Sequence, residues 1–158
     1  MLNSVKMKGK DTIAANLAEA YVTINGNRYN LFQLIDFEAR IDKNKVDVKV
    51  LGGMMTQSKS VGMSGTFTAT MHYNTSIFRE LVAEYKDTGR DVYFEIQVTN
   101  EDPTSDAGRQ TVNFYDCNLD GITLAKFDAD GETLDEEIEG TFHDFKIPEK
   151  FANLTGML

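Results

Sequence analysis

Alternation of apolar and polar positions dominates the chain. Tyr21-Val22-Thr23-Ile24, then Asn25-Gly26, then Asn27 to Phe32 predicts a hairpin, because Asn-Gly supplies the two positive-φ positions of a type I′ turn. From Leu34 the alternation lengthens: Ile35, Phe37, Ala39 and Ile41 point one way, and Asp36, Glu38, Arg40 and Asp42 the other. Asn44 is expected to turn the chain, with Val46, Val48 and Val50 continuing the pattern against Lys45, Asp47 and Lys49. Thr66 to Tyr73 alternates again. The period then changes to that of a helix over 76–88, capped by Thr75 or Ser76, with Ile77, Phe78, Leu81, Val82 and Tyr85 on one face and Gly89 ending it. Asp91 to Thr99, Gln110 to Leu119, Ile122 to Phe127 and Ile138 to Ile147 read as further strands, with Val92, Phe94, Ile96 and Val98 inward.

Seven or eight strands and one helix predict a mainly β fold, a β-sandwich or partly closed barrel with the helix packed against it. The organisation expected is a mobile polar arm over 1–17, a single β-domain over 18–147 and a tail over 148–158. Within the domain, Leu51 to Gly65 interrupts the pattern with four glycines, three serines and three methionines. It reads as a loop longer than compact domains usually carry. Met54, Met55 and Met63 cannot easily bury themselves on one sheet, and methionine suits surfaces completed on assembly.

Composition changes the picture mainly by exclusion. The 158 residues carry a formal charge of -9, which argues against a basic footprint on nucleic acid. Two histidines, one cysteine and no tryptophan leave little material for catalysis. No apolar run approaches the ~20 residues of a membrane span. The lysine-bearing N-terminus lacks the apolar segment of a secretory signal. Lone Cys117 alternates with Tyr115 and Leu119 and reads as a buried apolar residue. His72 and His143 fall on polar sides of strands, without a local nucleophile or orienting carboxylate. Gly52, Gly53, Gly62 and Gly65 are not followed by the Lys-Ser/Thr of a phosphate loop.

The acidic charge is concentrated. Asp116 to Asp144 holds ten carboxylates and one lysine, so the remainder sums to zero. Asp128, Asp130 and Glu137 invite a calcium reading, but Lys126 stands where the first ligand belongs and the flanks are strands. No metal and no cofactor is assigned.

The run Thr56 to Ser76 resembles the tail tube proteins of contractile-tailed phages, the PBSX-like prophage branch, related to the tubes of R-type bacteriocins. Asn25-Gly26-Asn27, Lys43 to Val46, Gly89 to Phe94 and Val98 to Thr104 agree with it in order and spacing, so the likeness covers about 11–147. The resemblance implies a non-enzymatic virion protein, assembled in the host cytoplasm and residing in the tail. Its β-domain would join five neighbours into a hexameric ring-shaped barrel, and the rings would stack into a conduit. The partners it implies are further copies of the chain, a sheath protein, a baseplate initiator, a tape measure protein and a tail terminator. DNA would traverse the lumen without specific binding, and the tube would not insert into a membrane. Met54, Met55, Thr56, Lys59, Gly62, Met63 and Gly65 become candidates for subunit or ring contacts, and valines at Gly62 and Gly65 are expected to block polymerisation without unfolding the monomer. Asp36, Glu38 and Glu95 become candidates for the lumen wall. A type VI secretion tube protein and a monomeric ligand-binding β-sandwich are the alternative readings.

Overall fold

The computed structural model describes residues 5–158. Its elements are β1 (Ala18–Ile24), β2 (Asn27–Asn30), β3 (Leu34–Val48), β4 (Gln57–His72), α1 (Ile77–Thr88), β5 (Phe94–Glu101), β6 (Arg109–Ile122), β7 (Asp135–Phe142) and β8 (Asp144–Glu149). The strand order β2-β1-β5-β6-β7-β4-β3, with β8 also on β6, is an open antiparallel arrangement. The chain divides into two compact units rather than one. The first takes the chain up to Phe32, Phe94–Tyr115 and Phe145–Leu158, and the second Gln33–Tyr93 and Asp116–Asp144.

In the first unit, Asn25 (φ 50°) and Gly26 (φ 81°) make the expected turn, closing Ile24 against Asn27. Along its other edge β1 pairs with β5, placing Val22 opposite Ile96. Their inward side chains, with Ile24 and Phe94, are buried. The expected arm is fastened for much of its length. Asp11 accepts from Asp106 N (3.0 Å) through its carboxylate and from Ser105 Oγ (2.8 Å) through its carbonyl. Ala14 N donates to Asp102 Oδ2 at 3.0 Å. These contacts are polar, so apolar periodicity could not reveal them; the first four residues lie outside the described part.

In the second unit β4 lies between β3 and β7, and α1 contributes buried Phe78 and Leu81. Alternation puts Phe67, Ala69 and Met71 of β4 and Ile138 and Phe142 of β7 among the buried residues, with threonines 66, 68 and 70 on the opposite face. Gly89 ends α1 at φ 75°, its N–H returning to Tyr85 O.

Four expectations need correction here. Ile35 is half exposed, because a register shift between Leu34 and Asp36 sets it apart from Phe37. No turn occurs at Asn44, and β3 runs straight through to Val48. Gln57 to Gly65 is strand, leaving 49–56 as the connection between β3 and β4, because the glycines and serines pair with β3 through their backbones. Finally, 123–134 is irregular, and the segment read as one strand from Ile138 is divided at His143 into β7 and β8.

Candidate functional site

Two surfaces of the second unit stand out. One is the outer part of the β3–β4 hairpin, where every residue over 42–64 is exposed. The parity of its apolar positions explains why. Phe37, Ala39 and Ile41 occupy odd positions on the core side, and Val46 and Val48 occupy even ones. In a straight strand that shift moves the valines to the opposite face from Ile41. A register shift between Asn44 and Lys45 leaves Val61 as the extra residue of β4. Val46, Val48, Val50, Leu51, Met54, Met55, Val61 and Met63 are all exposed large apolar residues. Met54 has essentially its whole surface in solvent at 102%. This is an arm with apolar material on both sides and no covering element among the described residues.

The arm is also basic. Lys43, Lys45, Lys49 and Lys59 stand against Asp47 alone over 43–61, in a chain of net charge -9. Of the candidate contact residues, Met54, Met55, Thr56, Lys59, Gly62 and Met63 lie on this exposed arm. Gly65 does not: it is buried at the arm's root, and a Cβ there would meet the Phe142 ring at 2.5–2.8 Å. At Gly62 the nearest atom to such a Cβ is Asn44 Nδ2 at 3.8 Å. A valine at position 65 therefore tests the fold, and one at position 62 tests the arm.

The second surface is the polar face of the same sheet. Asp36 is paired with Thr70 and Glu38 with Thr68 across β3–β4; Thr70 faces Glu137 and Thr68 faces Glu139 across β4–β7. Four exposed carboxylates thus flank two threonines on one face. Asp36 Oδ1 accepts from Thr70 N at 3.1 Å, fixing one of them. An open groove of about 530 Å³ runs here, lined by Asp36, Thr68, Thr70, Glu137 and Glu139. Glu95 is exposed on β5 in the first unit. Glu137 and Glu139 were legible as alternating carboxylates, but only the register of β7 shows which face they join.

The remaining candidate chemistry is dispersed. His72 Nδ1 lies 3.1 Å from Asp135 Oδ1, both exposed, and the His143 ring sits 5.8 Å from that of Tyr93. Cys117 is fully buried. Asp128 Oδ1 accepts from Asp130 N at 3.1 Å, and Asp128 O from Gly131 N at 3.2 Å; the acidic segment is a turn. Among the described residues, no group of three or more His, Cys, Asp or Glu side chains is placed to hold a metal ion.

Sequence reasoning missed the buried pair of Arg79 and Glu136. The Arg79 guanidinium also donates to Thr75 O and to Thr123 O, and lies over the Tyr73 ring at 4.4 Å. The available signal was parity, since Glu136 falls in step with buried Ile138 and Phe142.

An open antiparallel β protein whose long arm is uncovered among the described residues has the character of an assembly subunit. Comparison with known proteins defines it further. Residues 5–149 match the family model described as phage tail tube protein, and the chain belongs to that family. It is 39% identical over 142 residues to the phage-like element PBSX protein XkdM of Bacillus subtilis (strain 168), covering 85% of this chain and 97% of that one. Its fold is similar to a chain in the anti-feeding prophage tube-terminating cap, with TM-score 0.66, 12% identity and coverage of 95% and 97%. It is also similar to a chain in the PVC sheath-tube complex of an extracellular contractile injection system, with TM-score 0.62, 10% identity and coverage of 81% and 86%. The protein is accordingly a non-enzymatic structural component of a phage-type tail.

Proposed function

We propose that the chain is the tube protomer of a contractile tail, which assembles into stacked hexameric rings enclosing a lumen. The observation that carries this reading is the arm: an uncovered apolar segment on an open sheet has a physical reason if other copies complete it. β2 and β3 end the strand order, and pairing such edges between copies would close a ring and remove them.

The polar face bearing Asp36, Glu38, Glu137 and Glu139 is the proposed lumen wall of the second unit, and Glu95 the corresponding residue of the first. Carboxylates there would repel DNA phosphates and let the genome pass without sticking. In a bacteriocin-like particle the same conduit would serve membrane puncture. The proposed partners are a sheath outside the tube, a baseplate initiator, a tape measure protein during growth and a terminator at the end. These fit a fold shared with chains of a sheath-tube complex and a tube cap. Assembly in the host cytoplasm and residence in the virion tail follow from the same reading.

Native mass spectrometry over a rising concentration series tests the ring number. Closed species at six copies and multiples of six support the proposal, and a closed species of another count overturns the hexamer.

A further inference from the structure

The two ends of β4 carry opposite charge. At His72 the strand pairs with Asp135, where the acidic segment 123–137 returns to the sheet. That segment holds six carboxylates and Lys126. Its base is tied down: Thr123 O accepts from Arg79 Nη1 (3.3 Å), Leu124 O from Tyr73 Oη (3.3 Å), and Asp135 O from Lys126 Nζ (2.9 Å). Its tip is exposed throughout, with Leu124 and Phe127 in solvent and Phe127 90% accessible. At the other end, Gln57 pairs with Val48 and the chain continues into the basic, apolar arm tip.

β4 has 16 residues, so at about 3.3 Å each the two ends lie roughly 50 Å apart. A chain cannot fold its own arm back onto its own acidic loop over a continuous strand of that length. Each end has what the other lacks. Leu51, Met54, Met55 and the valines stand among lysines, while Leu124 and Phe127 stand among Asp128, Asp130 and Glu132. Complementary patches at opposite ends of one rigid element make a heterologous contact, which repeats head to tail from copy to copy, within a ring or along a tube.

We propose that the arm tip of one copy docks on the 123–134 loop of a second copy, Lys45, Lys49 and Lys59 meeting Asp130 and Glu132 around an apolar contact of Phe127 with the methionines. This rests on the tube reading and adds to it the surface that the arm meets, with a fixed polarity along β4.

The test is zero-length carbodiimide cross-linking of an equal mixture of ¹⁴N- and ¹⁵N-labelled full-length protein, with mixed-isotope peptides read by mass spectrometry. Cross-links joining the arm lysines to Asp130 or Glu132 between copies are expected. Lys45→Glu, Lys49→Glu and Lys59→Glu together should lower their yield roughly tenfold or more, as should Asp130→Lys with Glu132→Lys. Asp128 is kept, because its carboxylate shapes the turn. Combining both reversals in one chain should restore the cross-links with the polarity inverted, which a mere loss of folding could not do. Absence of mixed-isotope cross-links, cross-links from the arm to another surface, or insensitivity to either reversal overturns the docking. Electron microscopy of the same samples separates this from the conduit reading. Tubes lacking these cross-links discard the docking and keep the tube; cross-linked chains that never form a hollow particle discard the tube and keep the docking.

Discussion

Glu136 on β7 and Arg79 on α1 form an ion pair in which the carboxylate side chain is 1% and the guanidinium 15% exposed. This pair ties the one helix to the sheet at a position where alternation would place an apolar residue. Two further guanidinium N–H groups donate to Thr75 O and Thr123 O, which adds to the support of the charge on Arg79. A buried pair of this kind is costly to break from one side, because the other charge remains desolvated. Arg79→Ala should therefore lose about 3–5 kcal/mol, lowering the melting temperature by roughly 10 °C for a chain of this size. Replacing both with Met and Leu should cost much less, and calorimetry of the three proteins checks the difference.

Gly65 and Gly62 should separate folding from assembly. Gly65→Val places side-chain atoms inside the Phe142 ring, an overpacking expected to cost about 1–3 kcal/mol or more. Its soluble yield and melting temperature should both fall. Gly62→Val meets open space beside Asn44 and should melt like the parent while its assembly, followed by light scattering, is impaired.

The fastened N-terminal segment should respond to acid. Asp102 is held below the usual carboxylate range by the Ala14 N–H and then the Thr104 N–H; Asp11 is held low chiefly by the Asp106 N–H and further by Lys10. With folded values depressed, the stabilisation is complete above the ordinary value of 3.8 and is lost as pH falls through the lower folded values. The Ala14 amide resonance should titrate with a midpoint below 3.8. A midpoint at or above that value would show that the contact does not form in solution.

Met54 and Met55 are exposed, so Met54→Ser with Met55→Ser should leave the unfolding free energy within about 0.5 kcal/mol of the parent. The apolar drive for association is lost at the same time. The concentration at which sedimentation first shows multimers should rise about tenfold or more.

Much of this architecture was legible because alternation is a direct image of burial. The Asn25-Gly26 turn, the helix ending at Gly89 and most strands followed from period alone. What escaped did so for identifiable reasons. Parity changes between Ile41 and Val46, which suggested a turn at Asn44; the strand continues and the apolar positions change face instead. Gln57 to Gly65 lacks the side chains that mark a strand, and its pairing with β3 is a property of the backbone. Lys10 lies far in sequence from its partner Asp106, and Ala14 from Asp102, and such polar contacts carry no periodic signal, so the N-terminal fastening was hidden. The arm's exposure was anticipated from its methionines, whereas the sharing of one face by Asp36, Glu38, Glu137 and Glu139 needed the register of two ladders.

Negative-stain electron microscopy of the purified full-length chain over a concentration series tests the central claim most directly. Hollow particles of uniform diameter, seen end-on as six-fold rings and side-on as stacked tubes, are the expected result. Particles that remain single subunits at the highest concentration, even after preformed tube ends of the same tail are added as templates, would contradict the account.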